Sequence, residues 1–82
     1  MQMKHELKIY PEYFYGVVIG AKKAELRRTD DRTFTAGDLL VLRECTDGKY
    51  TGRQIIARIT DVADVTQLTG KPMALLSFEL CD

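Results

Sequence analysis

Histidine occurs once in the 82 residues and cysteine twice, and no apolar run approaches the roughly 18 residues that a membrane-spanning helix requires. Each scarcity excludes something. His5 has neither a second His nor a Cys near it in sequence, which makes it a poor metal site. Cys45 and Cys81 form no C-x-x-C or other ligand spacing, so the expectation is two reduced thiols, with no metal, no disulfide and no cofactor. The amino terminus lacks the apolar h-region of an export signal, which predicts a cytoplasmic protein with no membrane partner. No segment repeats, none is of low complexity, and no linker interrupts the chain; residues 1–82 read as a single domain.

Net charge is also missing: 12 Lys and Arg balance 12 Asp and Glu. That excludes a uniformly basic nucleic-acid binder and an acidic tail. The charges are nonetheless polarised, because residues 1–60 hold eleven cations against eight acids and residues 61–82 hold one against four. Lys22, Lys23, Arg27, Arg28 and Arg32 fall within eleven residues of one another.

What the chain does contain is strand patterning around a single helix. His5 to Ile9 alternates, which turns Leu7 and Ile9 inward and leaves His5, Glu6 and Lys8 in water. Pro11 suits the first position of a helix running to about Ile19, with Tyr13, Phe14, Val17 and Val18 as its buried stripe, Tyr10 a staple at its entrance and Tyr15 exposed. Gly16 inside that helix costs on the order of 1 kcal/mol relative to alanine, so a close neighbour is expected there. Gly20 ends the helix in the left-handed conformation. Leu39 to Leu42 is a continuous apolar run, expected of a strand buried on both faces, with Arg43 and Glu44 marking its return to water. Asp47-Gly48 signals a hairpin. Arg53 to Val65 is long for one strand and predicts a bend near Ala57 to Thr60; Met73 to Leu80 is the last strand, with Leu76, Phe78 and Leu80 inward. With one convincing helix, the sheet must cover most of its own core, which favours a small, mainly β barrel of the α+β class with five or six strands.

The densest chemistry lies in Gly20 to Arg28, GAKKAELRR. If Ala24 to Arg28 is extended, alternation sends Ala24 and Leu26 to the core and sets Glu25 and Arg27 together on the opposite face, with Lys22 where the turn meets the strand. One carboxylate and two cations at one end of a barrel suit a polar or phosphorylated ligand.

HELKI, PEYF, GAKKAELRR, AGDLLVLRE and YTGRQIIARIT together resemble the ASCH superfamily of PUA-like barrels, in particular a small, functionally uncharacterised phage and bacterial branch. Gly20, Lys22, Glu25 and Arg27 match its Gly-x-Lys-x-x-Glu-x-Arg signature position by position, and Gly37-Asp38 fits the turn that follows. The resemblance implies a barrel with one main helix between its first two strands and a cleft floored by the motif, binding RNA or modified nucleosides. Some small members are amidohydrolases of acylated cytidine that use a lysine, a threonine and a glutamate. Lys22 corresponds to that lysine, but no threonine lies between Gly20 and Arg28, and Thr66 to Pro72 holds no carboxylate.

The leading expectation is therefore an RNA-binding module in which Gly20, Lys22, Lys23, Glu25, Arg27, Arg28 and Arg32 line the site and an exposed ring, Tyr15 or Tyr50, stacks a base. The alternative enzyme would use Lys22 as base or nucleophile and Glu25 as proton carrier. A third possibility is a protein-interaction module of phage or host regulation, for which no residue speaks directly.

Overall fold

The computed structural model describes residues 2–81. The elements run β1 (Lys4–Ile9), α1 (Pro11–Val18), β2 (Ala24–Arg28), β3 (Leu39–Thr46), β4 (Lys49–Asp64), α2 (Thr66–Thr69) and β5 (Met73–Leu80). All five strands form one sheet in the order β1-β3-β4-β5-β2, with β1 and β3 parallel and the other neighbours antiparallel. The sheet curls into a half-barrel, mainly β, with one main helix. Among the described residues no ladder joins β1 to β2. The two edges are instead tied by a side chain, Arg27 Nη2 donating to the Lys8 carbonyl at 2.6 Å.

The curl comes from β4. Opposite Glu44 alone, β4 places Thr51, Gly52 and Arg53, and between Ile59 and Asp61 it gains Thr60, so its ladder shifts register twice. Extra residues on one strand bend it and increase its twist. The second shift falls beside the bend expected near Ala57 to Thr60; the first, at Thr51 to Arg53, lies where the expected strand begins. Asp47 and Gly48 both take positive φ, 52° and 78°, and make the two-residue hairpin loop that the Asp-Gly pair announced.

The core joins Leu7 and Ile9 of β1, Phe14 and Val17 of α1, Leu40 and Leu42 of β3, Ala57 and Ile59 of β4, and Ala74, Leu76 and Phe78 of β5 with Phe34 from the segment before β3, and Ile55 is half-buried against it. Four expectations are corrected. Helix α1 has only two turns and packs on β3, so its buried stripe narrows to Phe14 and Val17 and leaves Tyr13 and Val18 exposed. His5 is buried, because the Asp38 carboxylate takes its Nε2 at 2.9 Å. Glu44 is buried as well, since the β4 bulge turns Thr51 and Arg53 onto its carboxylate. Leu26 and Leu80 lie outside the core, at 50% and 39% exposure.

His5 and Asp38 pin the start of β1 to the turn before β3. Asp38 also accepts from the backbone N–H groups of Met3 and Thr35, both at 3.1 Å, and Phe34 packs a tilted ring 4.7 Å from the imidazole. Burial pushes the Asp38 carboxyl up, but the hydrogen bonds from His5, Met3 and Thr35 outweigh it and hold the group below its ordinary value. The Gly37-Asp38 turn is thus a structural clamp. Glu44 is likewise held low, first by its bond from Arg53 and then by that from Thr51. Cys45 and Cys81 are free thiols. Among the described residues no helix is long and apolar enough to cross a membrane.

Candidate functional site

The helix glycine explains where Lys22 sits. The Lys22 N–H bonds the Gly16 carbonyl at 2.9 Å, and a β-carbon on Gly16 would come within 3.2 Å of the Lys22 β-carbon. Gly20, at φ 82°, reverses the chain between them. The Lys23 carbonyl then accepts from the Phe78 N–H and starts the β2–β5 ladder.

That ladder decides which way the motif faces. Glu25 pairs with Leu76 and Arg27 with Ala74, both fully interior residues of β5, whereas Leu26 pairs with half-buried Leu75. Directly opposed residues share a face. Glu25 and Arg27 therefore point into the half-barrel and Leu26 points out, the reverse of the assignment made from alternation. An apolar side chain goes inward only where the interior is apolar, and here the inside of the edge strand is the open, polar seam between β2 and β1.

Inside the seam the polar groups are incompletely paired. Lys22 Nζ lies 3.8 Å from Glu25 Oε1 and 5.1 Å from the centre of the Tyr13 ring. Glu25 Oε2 and Arg27 Nε are buried and have no hydrogen-bond partner among the described residues. A buried polar atom without a partner costs about 1–3 kcal/mol. A cavity of about 300 Å³ opens beside these groups, lined by Lys8, Ile9, Tyr10, Tyr13, Glu25, Leu26 and Arg27. Its walls offer a carboxylate acceptor, cationic donors and two tyrosine rings that lie 6.1 Å apart.

The remaining candidates scatter. Arg28 and Arg32 line a second cavity of about 490 Å³ farther along the same seam, where Asp31, Phe34 and Tyr50 also contribute. Arg28 bonds Asp30 at 2.7 Å in the open, a contact that lowers the Asp30 carboxyl below its ordinary value. Gly20 and Lys23 belong to a third hollow of about 220 Å³, formed with Lys22, Phe78 and Leu80. Tyr15 is 65% exposed and lines none of these three. Reading the sequence missed Lys8, which arrives from across the seam, and misplaced Tyr10 and Tyr13; their three-residue spacing at the helix entrance was the available signal.

Neither seam cavity is lined by a serine, threonine, cysteine or histidine. Among the described residues no group of three or more His, Cys, Asp or Glu could hold a metal ion.

Fold and site together define a small α+β half-barrel with a charged, tyrosine-flanked groove along its unclosed seam. The chain belongs to the family described as a domain of unknown function, DUF3850, whose model matches residues 4–77 and so takes in the whole groove. Over 62 residues it is 47% identical to an uncharacterised 12.9 kDa protein in the GpA 3′ region of Escherichia phage P2. That alignment covers 76% of this chain and 56% of the phage protein, so the chain spans just over half the length of this relative.

Proposed function

We propose that the chain binds RNA in the cytoplasm, with one nucleotide held in the seam between β1 and β2. The observation that carries this reading is the inward pair Glu25 and Arg27, which both line a cavity of about 300 Å³ and each keep one buried polar atom, an acceptor and a donor, without a partner. Buried polar atoms left unpaired in a folded protein point to a missing partner. A nucleobase edge supplies donors and acceptors together, its faces suit Tyr10 or Tyr13, and its phosphate suits Lys22 and Lys8. The resemblance to ASCH domains supports the same choice, since two of the motif residues, Glu25 and Arg27, line the groove. The lining favours binding over acyl transfer, because it holds no hydroxyl or thiol nucleophile of the Ser, Thr or Cys kind.

Titration of fluorescent single-stranded RNA at two salt concentrations tests the reading. Affinity should fall steeply with salt, and both Lys22→Ala and Arg27→Ala should weaken it and flatten that dependence. Unchanged RNA affinity in both variants would remove the seam from consideration. Release of free acid from an acylated cytidine, followed by chromatography, would favour the hydrolase instead.

A further inference from the structure

The two seam cavities share Lys8, Leu26 and Arg27, so they adjoin along one groove. Resting on the reading above, we infer that this groove takes at least two consecutive nucleotides of single-stranded RNA, with the second seated in the larger cavity against Tyr50. The larger cavity has its own recognition groups. Lys8, Arg27, Arg28 and Arg32 face Glu6 and Asp31 there, an excess of two positive charges. Tyr50 projects from the β3–β4 hairpin at 45% exposure, open enough to receive a base.

That ring is already held in place. The Arg43 guanidinium lies 3.7 Å from its centre and the Lys8 ammonium 5.8 Å, so the platform is ordered before any ligand arrives. A base laid on Tyr50 extends an Arg-Tyr stack, and the phosphate that joins the two nucleotides passes the shared wall, where Lys8 and Arg27 stand. Of the two seam cavities, Arg32 and Tyr50 line only the larger, so a single nucleotide at Glu25 leaves them unused. A single-nucleotide site would have no need of this second ring and second pair of cations.

The test compares four ribonucleoside 5′-monophosphates with the matching dinucleotides and with ten-nucleotide RNAs, titrated against the intact chain. Expected is a gain of about tenfold or more from one nucleotide to two, the order of one stacked base. The salt slope should steepen by about 0.7 for each added phosphate that is contacted. In Tyr50→Leu and Arg32→Ala the ratio of dinucleotide to mononucleotide affinity should collapse toward one, with melting curves confirming that both exposed substitutions leave the protein folded. Mononucleotide binding with no gain on lengthening, or a gain that survives both substitutions, would overturn the two-position groove and leave the RNA reading standing. Failure of every ribonucleotide and RNA to bind would overturn the reading itself and this inference with it.

Discussion

Glu25 keeps one carboxylate oxygen, Oε2, buried without a partner, while Lys22 stands 3.8 Å from the other, Oε1. The lost hydration of that oxygen costs about 1–3 kcal/mol, more than an ion pair as long as 3.8 Å returns, which is about 0–1 kcal/mol. Glu25→Gln is therefore expected to leave the melting temperature unchanged or raise it while weakening RNA binding. A clear loss of stability in thermal melts would show that the pair serves the fold. Gly16 makes the matching case in the backbone. Alanine in a helix interior is worth about 1 kcal/mol over glycine, but a β-carbon here meets that of Lys22 at 3.2 Å. Gly16→Ala should forfeit that gain and weaken RNA binding by moving Lys22. A variant stabilised by the full amount with unaltered affinity would contradict the packing argument.

At the level of elements, β2 is the strand on which the outcome turns. Its register against β5 puts Leu26 outside and Glu25 and Arg27 inside. Leu26→Ala should cost less than about 1 kcal/mol, whereas Leu76→Ala, at a site fully removed from water, should cost about 2–5 kcal/mol. Equal losses in urea unfolding would mean that β2 is flipped. Arg27 has a second duty as the tie from β2 to the Lys8 carbonyl of β1. Its removal should cost about 1–2 kcal/mol and raise amide exchange along both edge strands, in addition to its effect on RNA. Arg27→Lys supplies charge without the planar fork and is expected to restore salt-dependent binding better than it restores the tie.

Across the whole molecule, stability should respond to acid through the buried carboxylates of Asp38 and Glu44. Asp38 and Glu44 are both held below their ordinary values in the folded chain. A depressed carboxyl stabilises the fold above the unfolded value, about 4, and that contribution is lost as pH falls through the folded value. Unfolding measurements should therefore find little change between pH 7 and 5 and a decline below about pH 4. Asp38→Asn, weaker at neutral pH for want of its charge-assisted bonds, should lose less between pH 7 and pH 3 than the parent chain does.

Local chemistry fixed much of this protein before any packing was known. Pro11 and Gly20 bracket the helix, Asp47-Gly48 turns the hairpin, the apolar run at Leu39 to Leu42 becomes β3 between β1 and β4, and Glu25 and Arg27 of the Gly-x-Lys-x-x-Glu-x-Arg spacing lie in the groove. These signals are short-range, each set by the conformational limits of a residue or its nearest neighbours. The tertiary structure decided the inside and outside of β2, the burial of His5 and Glu44, and the arrival of Lys8 and Tyr13 beside the motif. Alternation reports only that two faces differ; which face meets the interior depends on the strand paired alongside. Because the half-barrel stays open between β1 and β2, its interior there is polar, and the acidic and basic residues point inward while the leucine points out.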